Sequence, residues 1–178
     1  MKNKVLLYYS KKELISLIEV YSKEWLAMDG VWFQSVEKEF GIDKAMEHNK
    51  NIWKQFTVIE AKNIKRRLDL PENSGIDGLC GDGHGLEKAL KLRIYANINA
   101  DEIIIENNVL IYRTLECRVQ SARKRKGIRF HPCKDVGIVE YTEFAKIIDE
   151  RFTCEVISCY PDITDSTCSC SWKFLLHE

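Results

Sequence analysis

Along the first forty residues, apolar side chains recur every three to four positions. Leu14, Leu17, Ile18, Tyr21, Trp25, Met28, Trp32 and Val36 keep this helical period as far as Phe40. Ser10 and Glu13 stand at capping-box spacing, which predicts a helix start, and Gly41 suits the residue just past a helix end. The pattern allows one long helix or two consecutive ones, with Gly30 the expected kink or break. Asp43 is the expected cap of a second helical stretch carrying Ala45, Ile52, Trp53, Phe56, Ile59 and Ile64, which fades near Leu70 and ends at Pro71. The segment from Glu72 to Gly85 reads as a glycine-rich loop. It lacks both the dinucleotide-binding glycine spacing and the Lys-Ser/Thr of a P-loop, so an ordinary connection is expected there in preference to a phosphate cradle. A short helix over about residues 86–95 follows.

From Asp101 the period changes to two. Glu102 to Glu106 and Val109 to Cys117 are rich in Ile, Val, Leu and Tyr, and Asn107-Asn108 between them suits a two-residue hairpin turn. That turn pairs Glu106 with Val109 and Glu102 with Arg113. Ile103, Ile105, Leu110 and Tyr112 then share one face, and Ile104, Ile111, Arg113, Leu115 and Cys117 the other. With both faces partly apolar, helices or a second subunit are expected to cover each. A helix from Lys134 to Glu150 and a second hairpin, Phe152 to Cys159 with Thr167 to His177, complete the chain. The prediction is one α+β domain over 1–178: a helical part over 1–100, and over 101–178 a ββαββ part supplying a four-stranded antiparallel sheet with helices packed on it.

Composition adds little to the fold but narrows the function. The 27 basic and 27 acidic residues cancel, so no global field draws the protein to nucleic acid or to an anionic membrane. No apolar run approaches the ~20 residues of a spanning helix, and the N-terminal residues do not form an export signal, so a cytoplasmic protein is expected. Seven cysteines in such a chain point to thiols, metal ligands or catalysis more than to a disulfide framework.

Several of these cysteines have patterned neighbours. Cys168, Cys170, Trp172 and Phe174 alternate on one face of the last strand, where the thiols could serve as core hydrophobes. Cys154 and Cys159 are five apart and would point to opposite faces unless a bulge intervenes. No pair has zinc-ribbon spacing, yet Cys117, Cys133, Cys159 and Cys170 sit where two hairpins would bring them together, a possible zinc or iron site. Residues 117–134 contain seven Arg or Lys and no acid, whereas residues 135–178 carry nine acidic against three basic residues. Such a basic run is either a solvated face or an anion pocket in which Arg118 or Arg123 forks onto a carboxylate or phosphate, with Tyr141 beside the ligand. Glu140 lies inside the apolar stripe Val136, Gly137, Tyr141, Phe144 and Ile148, so it is either paired with an arginine or a general acid or base with a raised pKa. His131, two residues from Cys133, could activate that thiol as a nucleophile.

The run from Cys117 to Gly127, Pro132-Cys133-Lys134, Gly137, Glu140-Tyr141, Phe144, Cys159-Tyr160-Pro161-Asp162 and Cys170-Ser171-Trp172 resembles a family of uncharacterised prokaryotic cytosolic proteins. The N-terminal half matches too, through Trp25, Asp29-Gly30, Trp32-Phe33, Val36-Glu37, Phe40-Gly41, Ala45 and Trp53. More distantly, the plan looks like the L-2-amino-thiazoline-4-carboxylate hydrolase family and the bacteriochlorophyll vinyl-reductase type of small-molecule-binding domain. The two remote resemblances imply a small-molecule ligand, used either in hydrolysis of a small anionic substrate through Glu140 or Cys133 or in a ligand-sensing module that associates as a homodimer with Trp25, Trp32 and Trp53 at its contact; the cysteines themselves leave open a metal or thiol-redox centre. No membrane or nucleic-acid partner is expected.

Overall fold

A computed structural model of the protein describes residues 4–76 and 85–178. A short 3-10 turn, Lys4–Tyr8, leads into helix α1, Lys11–Phe40. The capping box forms: the Ser10 hydroxyl accepts from the Glu13 amide at 3.3 Å, and the Ser10 amide donates to the Glu13 carboxylate at 2.7 Å. Gly30 does not interrupt α1. Gly41 does, with φ at 83°, and its amide still donates to the Glu37 carbonyl at 2.9 Å. Helix α2, Ile42–Leu68, starts immediately, with Gly41 as its N-cap, so the expected cap, Asp43, lies in the first turn instead.

Only some of the apolar residues of α2 turn inward. Ala45, Asn49, Trp53, Thr57, Glu60, Ala61 and Ile64 point inward, whereas Ile52 and Ile59 are exposed. Three of the inward residues, Asn49, Thr57 and Glu60, are polar. Trp25 of α1 stacks on Phe56 and meets Trp53 edge-on at 5.5 and 5.8 Å, so of the three tryptophans expected at a subunit contact only Trp32 is exposed. Residues 77–84, which hold most of the glycine-rich loop, lie outside the described residues. Beside them, Leu86 and Glu87 donate to the carbonyls of Gly75 and Ile76 at 3.0 Å and pin the start of α3, Leu86–Lys91. This helix is shorter than expected because Arg93 and Tyr95 turn into the interior.

Strands β1, Ala100–Glu106, and β2, Val109–Glu116, form the predicted hairpin in the predicted register, Glu106 opposite Val109 and Glu102 opposite Arg113. An unanticipated helix, α4, Arg118–Arg125, precedes α5, Lys134–Ile148. Strands β3, Phe152–Cys159, and β4, Cys170–Leu176, complete an antiparallel sheet of order β1-β2-β4-β3. Helix α5 packs on one face of this sheet and α2 packs on α5. The core lies between them, with Leu110, Tyr112, Phe144, Ile148, Phe152, Trp172 and Phe174 buried. Among the described residues no helix covers the opposite face: Ile104 and Ile157 are part-exposed, and the ion pairs of Arg113 with Glu102 and Asp165 lie there.

A bulge at Ile157 places Val156 opposite Trp172 but Ser158 opposite Ser171. It rotates the end of β3 by one residue, so Cys154 and Cys159 share a face after all, opposite Phe174 and Cys170. Cys168 precedes β4 instead of extending its alternation. Its thiol points to Asp165, at 3.5 Å from Oδ2, on the Arg113 side of the sheet.

Candidate functional site

A cavity of about 190 Å3 opens where α1, α2, α4 and α5 meet the ends of β2, β3 and β4. Its wall is mainly apolar, with Leu26, Phe33, Trp53, Val119, Val136 and Trp172 contributing. The volume is below the ~300–1,000 Å3 usual for drug-sized ligands. Every residue singled out from the sequence as catalytic, substrate-binding or metal-binding lines it: Glu140, Cys133, Arg118, Arg123, Tyr141, Cys117, Cys159 and Cys170.

Cys133 occupies the N-cap position of α5, where its carbonyl accepts from the Gly137 and Val136 amides at 2.7 and 3.1 Å. Its side chain does not cap the helix and turns toward His131 instead. The sulfur lies 3.2 Å from His131 Nδ1, 3.3 Å from Gln120 Nε2 and 3.1 Å from the His131 carbonyl. Gln120, on α4, holds His131 from both sides: its amide donates to the His131 carbonyl at 2.8 Å, and its carbonyl accepts from the His131 amide at 3.0 Å. Phe33 packs on the imidazole at 4.6 Å, and Asn49 of α2 reaches Nε2 at 3.4 Å. Burial, aided by the nearby Arg123 cation, lowers the His131 pKa to about 4. The ring is therefore neutral at physiological pH. An Asn amide serves either tautomer by a half-turn: Nδ2 donates to a bare Nε2, or Oδ1 accepts from Nε2–H and leaves a lone pair on Nδ1 facing the thiol.

The remaining cavity thiols are held protonated. Cys159 and Cys170 face each other across β3 and β4, and the Lys134 amide donates to the Tyr160 carbonyl at 3.1 Å, which sets Cys133 beside Cys159. Contact with Cys133, together with burial, raises the Cys159 thiol; contact with Cys159, together with burial, raises Cys170. Cys117, turned into the cavity as the residue before α4 and not outward with Arg113, is pushed up to about 11 by burial. Cys154, away from the cavity, goes to about 12 for the same reason. The four candidate metal ligands thus share one wall, but among the described residues no group of three or more His, Cys, Asp or Glu side chains is arranged to hold a metal ion.

Glu140 is paired, though with an arginine the sequence did not single out. Arg93 is completely buried; its Nη1 lies 2.7 Å from Glu140, while its Nη2 and Nε lie 2.8 and 2.9 Å from Glu60. The Nη contacts are ion contacts and not aligned hydrogen bonds, whereas Nε donates properly. The Ile94 amide donates to Glu60 at 2.8 Å and the Tyr95 hydroxyl donates to Glu140. Burial raises the Glu140 pKa, and Arg93 opposes it. A carboxylate within the inner stripe of α2 was the signal that could have found Glu60, as it found Glu140.

Arg123 is engaged as well. Its guanidinium forks onto Glu37 at 2.8 and 2.6 Å, so it is neutralised inside the protein and not held ready for a ligand anion. The Arg118 side chain, by contrast, makes no hydrogen bond to any described residue, and only its backbone amide is engaged, by Asn99 at 3.1 Å. Tyr141 forms an aromatic wall, 4.8 Å from Trp172 and 5.7 Å from Tyr112.

The chain belongs to a family of unknown function (DUF6125), whose model matches residues 7–176. No curated protein and no solved structure matches it. Among the described residues no helix is long and apolar enough to cross a membrane.

Proposed function

We propose that this protein binds a small molecule in the cavity and hydrolyses it, with Cys133 as the nucleophile and His131 as the base. The observation that carries this reading is the Cys133 sulfur on the cavity wall, 3.2 Å from His131 Nδ1, with Asn49 on the far nitrogen. Cys-His-Asn sets of this kind activate thiols by base assistance, with the third residue orienting the imidazole. The Cys133 proton passes to Nδ1 as the sulfur attacks an electrophilic carbon. His131 then returns the proton to the leaving group, and water cleaves the covalent intermediate. The Gln120 amide and the positive end of the α5 dipole favour the negative charge that develops beside the sulfur. Glu140, held by Arg93 and Tyr95, positions the wall and leaves the chemistry to the thiol. Arg118, whose side chain makes no hydrogen bond to any described residue, is the group that would receive a substrate carboxylate.

The test is intact-mass analysis after exposure to a small activated ester such as p-nitrophenyl acetate. A single acetyl adduct at Cys133, slowed at least ~100-fold by His131→Gln, is the expected result. An unmodified Cys133 would remove the hydrolase reading. A second reading, thiol-redox use, is favoured by the contact of Cys159 with both Cys133 and Cys170. It predicts loss of two hydrogens and a Cys133–Cys159 disulfide on mild oxidation.

A further inference from the structure

Asp29 lies on α1 with Leu26 and Phe33, and all three side chains line the cavity. Four other charged side chains line it too. Glu140 pairs with Arg93, Arg123 pairs with Glu37, and Lys126 donates to Gln34 at 2.8 Å. Arg118 and Asp29 alone make no side-chain hydrogen bond or ion pair with a described residue. Arg118 is exposed, so water serves it; Asp29 is half-buried against an apolar wall. A carboxylate withdrawn from water without a partner is destabilising unless something else supplies the donor or the positive charge. Burial accordingly raises the Asp29 pKa, and only the charge interaction with His131 opposes the rise.

We propose that Asp29 is a cation-recognition site: the cavity takes a small, mainly apolar molecule bearing a protonated amine or amidine, which Asp29 engages while the electrophilic carbon meets Cys133. This deepens, and rests on, the thiol reading above. With exposed Arg118 lining the same cavity, the ligand class becomes a zwitterion whose cationic nitrogen meets half-buried Asp29 and whose anionic group meets Arg118. The nitrogen supplies the donors that Asp29 lacks, and a ligand of like charge to Asp29 is rejected, so the site selects by repulsion as well as attraction.

Three methanethiosulfonates of similar size and different charge provide the test: aminoethyl (cationic), sulfonatoethyl (anionic) and methyl (neutral). In each case the Cys133 thiolate, its proton given up to His131 or water, attacks the sulfenyl sulfur. A disulfide forms and methanesulfinate leaves with the electron pair. Rates at Cys133 are read by peptide mass at pH 8 and low salt, with Cys133→Ser as the blank and glutathione as the reference thiol. The cationic-to-anionic rate ratio at Cys133 is expected to exceed that of glutathione by at least several-fold, and Asp29→Asn is expected to bring it down to or below the glutathione value. Asp29→Asn removes a half-buried charge that has no partner among the described residues, so it should fold at least as well as the parent; the wild-type ratio stands as an independent measure in any case. A wild-type ratio equal to that of glutathione, or one unchanged in Asp29→Asn, with Cys133 still reactive to the neutral reagent, overturns the cation site and leaves the thiol reading intact. Failure of Cys133 to react with any of the three overturns both.

Discussion

Arg93 carries a full positive charge with no exposed surface, and two carboxylates share the task of neutralising it. Removing one acid still leaves a one-to-one ion pair, whereas removing both leaves a bare buried cation. The Glu60→Gln and Glu140→Gln variants are each expected to lose about 1 kcal/mol of stability, and the double variant more than ~3 kcal/mol, a non-additive result readable by urea denaturation. Strict additivity would mean that the two carboxylates act independently of Arg93. At this scale the sequence was legible where a polar residue broke a regular pattern. Glu140 stood out within the stripe of α5 because every neighbour at helical spacing was apolar. Arg93 did not, because it lies beyond the end of α3 in an irregular turn, and only the fold brings it between α2 and α5. Asp29 was hidden for a related reason: on a helix with charges on its outer side, an acid facing a cavity looks like one facing water.

The seating of α5 on the sheet depends on one missing methyl group. A Cβ on Gly137 would fall 2.5 Å from Trp172 Cη2 and 2.6 Å from Cζ2, and that indole is fully buried and cannot move aside. The Gly137→Ala variant should therefore shift α5 away from β4, lose about 1–3 kcal/mol and enlarge the distance between Cys133 and Cys159. A thermal melt would give the first effect, and slower formation of the Cys133–Cys159 disulfide under a mild added oxidant the second. Element existence was read well: the α1 capping box, the β1–β2 register and α5 are all present where residue spacing put them. The errors have physical causes. In α2, Asn49, Thr57 and Glu60 occupy the inner face because they bind His131, the Glu140 carbonyl and Arg93, so its apolar residues alone do not mark the buried face. Helix α4 has almost no apolar content and is secured by Gln120 and Arg123. The bulge at Ile157, which carries Cys159 into the site, depends on pairing with β4 and leaves no local mark.

Across the whole molecule, His131 ties the candidate site to the stability of the fold. In the unfolded chain it titrates near 6.5, while burial lowers it to about 4 in the folded one. Between these values the unfolded chain binds a proton that the native protein does not, so stability is fully present above pH 6.5 and falls as the pH drops toward 4. Each pH unit of that interval is worth about 1.4 kcal/mol, so the loss is of order 3 kcal/mol. Carboxylates titrate in the same range, Asp29 with the opposite sign because burial raises it and Glu37 with the same sign because Arg123 lowers it. Comparison with His131→Gln, which cannot titrate, isolates the imidazole. Denaturant midpoints measured from pH 7 to 4 are expected to fall more steeply for the parent, by about 3 kcal/mol over the interval; parallel curves would mean that the ring is solvated and is not the neutral base beside Cys133. Because one burial both disfavours the imidazolium and keeps Nδ1 open to accept the thiol proton, acid should destabilise the fold before it protonates the folded site, which stays neutral down to about pH 4.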